Sequence, residues 1–232
     1  MNVFEFIKKE LQGWGKFESI IFPTEIIFIA AISIYMKDNT FALISAICGI
    51  CATILAGKGK ISCYFFGMIA NICYSYISFK NALWGNLGLN MLYYFPMQFV
   101  GIYKWKNHLK KETQEIYKTR LNPKERIVYS IIALTATIVG YLLLQKFNDL
   151  NPLFDSATTV LSIIAFILTI KRSIEQWYVW TIVNGLCIAI WIDAYLKGSN
   201  CFATILMWST YFVLGLYFLS RWQRELKENS HC

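Results

Sequence analysis

Two indoles and a carboxamide, Trp177, Trp180 and Asn184, are the residues whose types and spacing most invite ligand chemistry. On an α-helix they stand at i, i+3 and i+7 and share one face. The stretch that carries them, WYVWTIVN, is otherwise largely apolar. An amide buried in lipid without a partner costs roughly 2–7 kcal/mol on transfer scales, so this face should look into protein or a wet cavity. It is a candidate ligand wall. Trp177, at the cytoplasmic end of the stretch, reads either as an interfacial aromatic or as part of a gate.

Further polar positions recur in apolar surroundings. Asn90, Tyr94 and Gln98 follow at i, i+4 and i+8, a polar stripe interrupted by Pro96, which removes a backbone hydrogen bond and gives the segment a hinge. Trp208 and Tyr211 are approximate counterparts near the C-terminus. Asp155 precedes Ser156, Thr158, Thr159 and Ser162; it reads equally as a helix N-cap or as a carboxylate at an outer mouth, with the Thr159 and Ser162 hydroxyls along a path. Arg172 and Glu175, at i and i+3 on a turn, read as an ion pair locking a gate or as a solvated surface pair. His108 and His231 have no metal-ligand spacing, and no metal is expected.

The elements that position these residues belong to a membrane. The 232 residues are 56% hydrophobic and only 16% charged, too apolar for one soluble core. A bilayer core of ~30 Å needs about 20 helical residues. Eight segments approach that length: Phe17–Met36, Thr40–Ala56, Ile61–Lys80, Trp84–Trp105, Ile127–Phe147, Leu153–Ile170, Trp177–Leu196 and Cys201–Arg221. Val3, Phe4, Ile7, Leu11 and Trp14 precede them on one face, as in an interfacial helix. In the first span Pro23 reads as the residue that begins the helix proper, with Glu25 near its positive end. The fold class is therefore all-α and polytopic. Of the 22 Lys and Arg, eighteen fall on the side of the termini, and four, Lys37, Lys80, Lys146 and Lys197, on the other. This bias places both termini in the cytoplasm. The net charge of +8 follows that topology and is not interleaved with stacking aromatics, so nucleic acid is not an expected partner. The seven cysteines lie mostly in apolar segments and read as buried thiols.

The chain repeats at an offset of about 113 residues: GKISCYFFGMIAN, ending at Asn71, lies over RSIEQWYVWTIVN, ending at Asn184. Spans two to four correspond to spans six to eight, and an odd connector makes the repeat parallel, with substrate expected between the triplets near the midplane. Ten residues in from Ile61, Asn71 lies ~15 Å deep. Asn71 and Asn184 then read as ligand groups or as interhelical hydrogen-bonding groups that hold the bundle. Gly67 stands where the second half has Trp180, and the wall opposite comprises Tyr64, Gly67 and Asn71. The expected divisions are 1–38, interfacial segment and extra helix; 39–106, first triplet; 107–151, cytoplasmic loop and connector; 152–222, second triplet; and 223–232, tail.

KISCYFFG from Lys60, GIYKW from Gly101 and DSATTVLSIIAFIL from Asp155, followed by Arg172, Glu175, Trp177, Trp180 and Asn184, resemble the bacterial nicotinamide riboside transporter family, PnuC. The resemblance runs from Thr40 to Trp222. It implies a fold similar to SWEET sugar transporters, three plus one plus three helices after an extra first one. It also implies facilitated uptake of nicotinamide riboside across the inner membrane, with a cytosolic nicotinamide riboside kinase trapping the product. A pyridinium cation suits an indole face, which singles out Trp180. No phosphate loop GxxxxGK[ST] is present, and no cofactor is implied. Transport of another small polar solute, such as a sugar or related vitamin, is the first alternative. A membrane-embedded enzyme is the second, although the two histidines supply no catalytic cluster. The partners are the substrate, the bilayer and the kinase; homo-oligomerisation stays open.

Overall fold

The computed structural model describes residues 14–35, 39–80, 87–110, 113–147, 151–198 and 202–228. The interfacial segment expected over the first residues lies outside these, Trp14 excepted. Among the described residues are eight helices: α1 (Lys16–Tyr35), α2 (Thr40–Lys58), α3 (Cys63–Lys80), α4 (a π-helical Leu89–Tyr94 running into Phe95–Lys106), α5 (Pro123–Lys146), α6 (Pro152–Ile170), α7 (Glu175–Leu196) and α8 (Phe202–Glu228). Five of them, α1, α2, α5, α6 and α7, are long and apolar enough to cross a membrane. On α5 no residue is buried, as befits a helix whose outer surface meets lipid.

The start of α1 corrects the reading of Pro23. The helix begins at Lys16 and carries Pro23 in its interior. Its first turn is set by Glu18, whose carboxylate accepts the Gly15 N–H at 2.8 Å and the Lys58 ammonium at 2.8 Å. Lys58 is fully buried and Glu18 nearly so, so this ion pair fastens α1 to the end of α2. In α4 the irregularity expected at Pro96 takes the form of a π-turn: the Phe95 N–H donates to the Asn90 carbonyl, one residue further back than in an α-helix.

The chain divides into two compact units, Met1–Tyr117 and Lys118–Cys232. In the first, α2 packs on α3 and α3 on α4; in the second, α6 packs on α7 and α7 on α8. The 113-residue offset reappears in the hydrogen bonds. Gly59 N–H donates to Ala56 and Lys60 N–H to Leu55; Arg172 N–H donates to Thr169 and Ser173 N–H to Leu168. Both helices thus end in the same motif around a left-handed residue, Gly59 at φ 73° and Arg172 at φ 61°. Glycine adopts that conformation freely, whereas arginine pays about 1 kcal/mol for it. Each turn then pairs with the segment before α5: the Ile116 N–H donates to Gly59 in the first unit, and the Thr119 N–H to Arg172 in the second.

Candidate functional site

The wall predicted on α7 is built from the turn that precedes it. Glu175, in the first turn, receives the Leu121 N–H at 3.1 Å and the Ser173 hydroxyl, and pairs with Arg126 at 2.8 Å. The ion-pair partner the structure gives Glu175 is therefore Arg126, at the start of α5. Arg172 serves the turn through its left-handed backbone. Together these contacts fix where α7 begins and how it is rotated.

That rotation splits the three-residue face. Trp177 is 3% exposed and packs on α8, its ring 5.3 Å from Phe218 and 5.9 Å from Trp222. The interfacial reading of Trp177 is corrected accordingly: the indole is enclosed by protein, although its N–H has no hydrogen-bond partner among the described residues. Trp180 turns the other way, toward α6, and donates its indole N–H to the Thr169 hydroxyl at 3.3 Å. Thr169 in turn donates to the Ala165 carbonyl at 2.9 Å, so its lone pairs face the indole. Asn184 is 5% exposed and sits where α8 comes closest: a Cβ at Gly215 would lie 3.9 Å from its Nδ2 and 3.1 Å from the Thr181 hydroxyl. No protein group among the described residues hydrogen-bonds the Asn184 carboxamide.

The first unit is assembled on the same plan with other side chains. Tyr64, the repeat mate of Trp177, is buried edge-on against Trp105 at 4.9 Å, and a Cβ on Gly101 would fall 2.2 Å from its ring. Gly67, the mate of Trp180, leaves room that Gln98 fills: a Cβ there would stand 2.7 Å from Nε2 and 2.9 Å from Oε1. A carboxamide thus occupies the place an indole takes in the other half. Asn71, the mate of Asn184, has a buried Nδ2 with no partner among the described residues. The bundle-gluing account of both asparagines required interhelical partners, and the described residues offer none. Asn90 and Gln98 are buried at 8% and 4%, while Tyr94 is half-buried and edge-on to Tyr93 at 5.2 Å. The π-turn separates Asn90 from Gln98, so their α-helical spacing no longer fixes a shared face.

The remaining candidates are more peripheral. Asp155 is not the N-cap of α6: the helix starts at Pro152 after Asn151, and Asp155 lies half-buried in its first turn. Thr159 is exposed. Trp208 and Tyr211 are half-buried and edge-on at 6.0 Å on α8. Sequence reasoning overlooked Thr169, because a threonine at the end of an apolar helix carries no signal until its indole partner eleven residues on is known.

Residues 39–224 match the family model described as nicotinamide mononucleotide transporter. The chain belongs to this family. It is 33% identical over 229 residues to the nicotinamide riboside transporter PnuC of Neisseria mucosa, covering 96% of this chain and 87% of that one. To the transporter of the same name from Haemophilus influenzae it is 30% identical, with 97% of each chain covered. A crystal structure of the vitamin B3 transporter PnuC superposes with a TM-score of 0.83 at 31% identity, over 98% of this chain and 99% of that one. This family of transporters is thus the one that the motifs around Asp155 and Trp180 resembled. Its members move solutes rather than catalyse reactions.

Proposed function

We propose that this chain carries nicotinamide riboside across the cytoplasmic membrane, with the pyridinium ring against Trp180 and the carboxamide or ribose on Asn184. The observation that supports this most is the buried Asn184 carboxamide, which no group among the described residues hydrogen-bonds, one helical turn beyond an indole held by Thr169. An indole face attracts an aromatic cation by about 2 kcal/mol when both are out of water. Asn71, Gln98 and Asn90 offer further amides to the same substrate along its path, and Tyr94, Thr159, Trp208 and Tyr211 line it. Asp155 draws the cation in, and Trp177, Arg172 and Glu175 form the inner gate, with the termini in the cytoplasm.

The family description names the mononucleotide and the relatives the riboside, and charge distinguishes them. A phosphate carries about −1.5 to −2 at neutral pH and needs Lys or Arg to leave water. Neither α6 nor α7 contains a Lys or Arg. The riboside, a cation, meets no repulsion there. Transport is passive, by alternating access, and a cytosolic kinase retains the product by phosphorylating it.

Calorimetry on detergent-purified protein with nicotinamide riboside, nicotinamide and the mononucleotide tests the reading. The riboside should bind, the mononucleotide at least tenfold more weakly. Preferential binding of the mononucleotide, or of a free sugar, overturns it.

A further inference from the structure

Away from the α7 wall, a cavity with a polar rim and an apolar floor lies at the N-terminal end of α5. It is a cleft of about 360 Å³ between the first turns of α5 and the turn after α6. Its mouth is polar, with Asn122, Lys124, Glu125 and Lys171; its floor is Val128, Tyr129 and Ile132. The change from polar to apolar runs along the helix axis, about 12 Å from Lys124 to Ile132 at 1.5 Å per residue. Because α5 buries none of its residues and is apolar enough to span a membrane, this gradient coincides with the boundary between headgroups and hydrocarbon.

The charges in the mouth are unequal. Glu125 is already satisfied: its carboxylate accepts the Asn122 N–H at 3.1 Å and the Lys171 ammonium at 3.0 Å, and it sits in the first turn, at the positive end of the helix. Lys171 also stands 5.2 Å over the Tyr129 ring. Lys124 has no partner among the described residues. The mouth therefore keeps a net positive charge beside a half-exposed apolar floor, Val128 at 52% and Ile132 at 47% exposure. A soluble anion would use only the mouth, and a neutral acyl chain only the floor.

We propose that this cleft binds an anionic phospholipid of the surrounding bilayer, its phosphate at Lys124 and Lys171 and one acyl chain along Val128 and Ile132. Basic pockets between membrane helices recognise such headgroups in general, and each lysine near the surface contributes a factor of about five. The proposal does not depend on the transported substrate.

Native mass spectrometry of the detergent-purified chain, titrated with phosphatidylglycerol or with phosphatidylcholine of the same acyl chains, tests it. One saturable phosphatidylglycerol adduct is expected, bound about five- to thirtyfold more tightly than phosphatidylcholine. The double variant Lys124→Gln/Lys171→Gln should lose that preference while still binding nicotinamide riboside. Ile132→Trp, which leaves both lysines and fills the floor, should weaken the adduct as well. Equal binding of the two lipids, an undiminished adduct in either variant, or displacement by inorganic phosphate alone would each overturn the assignment.

Discussion

Trp180 offers the sharpest test of the α7 wall, because the structure separates its two contributions. In the proposed site its ring face would attract the pyridinium, and its N–H, through Thr169, fixes the ring's orientation. Trp180→Ala removes both. At about 2 kcal/mol for a desolvated cation–π contact, nicotinamide riboside affinity should fall about 30-fold, and more if the empty space fills with water. Trp180→Phe keeps an aromatic face of smaller quadrupole and loses the hydrogen bond. Thr169→Val keeps the whole indole and removes its acceptor, together with the hydroxyl's own bond to the Ala165 carbonyl. The bond to the indole is long, 3.3 Å, so its loss belongs at the low end of the ordinary range of 0.5–1.5 kcal/mol, about a two- to fivefold weakening. The expected order of affinity is therefore wild type, Thr169→Val, Trp180→Phe, Trp180→Ala, measured by calorimetry on monodisperse protein. Two results would refute the reasoning. Unchanged affinity in a folded Trp180→Ala variant removes the indole from the site, and a loss in Thr169→Val as large as in Trp180→Ala makes Thr169 a direct ligand rather than a positioning residue.

Glu18→Ala removes the carboxylate paired with the fully buried Lys58 ammonium and should cost about 3–5 kcal/mol, read as a lower melting temperature in detergent; Glu18→Leu combined with Lys58→Met should recover most of it. Gly101→Ala drives a methyl into the buried Tyr64 ring, which Trp105 prevents from moving aside, and should destabilise by about 1–3 kcal/mol, relieved by Tyr64→Leu. Glu225, beyond the membrane end of α8, is pushed up by burial, but Lys118 and Arg221 outweigh this and hold its carboxyl below the ordinary 4.5. A depressed carboxylate contributes stability that is fully present above that ordinary value and is lost as pH falls through its folded value. The melting temperature should therefore drop on acidification below about pH 4.5, and Glu225→Gln should flatten that part of the profile.

The helices were legible because hydrophobic length is the strongest signal a membrane imposes on a sequence, and each of the eight overlaps the apolar segment that predicted it. Their ends were less so. α8 runs to Glu228 because Arg221 and Glu225 pair one turn apart, extending the helix beyond its apolar stretch, where hydropathy carries no information. Pro23 was misread because a proline near the start of an apolar run resembles a first-turn proline; the carboxylate that begins the helix five residues earlier is recognisable only once Lys58 is known to reach it. The N-cap reading of Asp155 failed for a related reason, since Pro152 opens the helix and moves the carboxylate into its first turn. Side-chain direction was the least legible level. Spacing put Trp177, Trp180 and Asn184 on one face, but a helix packed between two neighbours divides a face 60° wide between them, sending Trp177 to α8 and Trp180 to α6.

The two halves show how one backbone plan yields unlike chemistry. The motif that closes α2 at Gly59 closes α6 at Arg172, with hydrogen bonds that match residue for residue at the 113 offset. Such local geometry depends on main-chain groups and survives the change from glycine to arginine at a modest cost. The side chains above it are under no such constraint. Where the second half presents an indole at Trp180, the first has Gly67, and the vacated volume is taken by the Gln98 amide from the next helix. An indole and an amide in equivalent places offer different chemistry, a face for a flat cation in one half and hydrogen-bonding groups for hydroxyls in the other. A symmetric pair of either kind would offer only one of the two. The asymmetry also predicts the outcome of forcing the halves to agree: Gly67→Trp would expel Gln98 and place a second aromatic face in the first unit. On the proposed reading riboside affinity should fall rather than rise, because the displaced Gln98 amide would no longer offer hydrogen bonds while Trp180 would still serve the cation. An increase in affinity would mean that stacking alone, on either half, governs recognition.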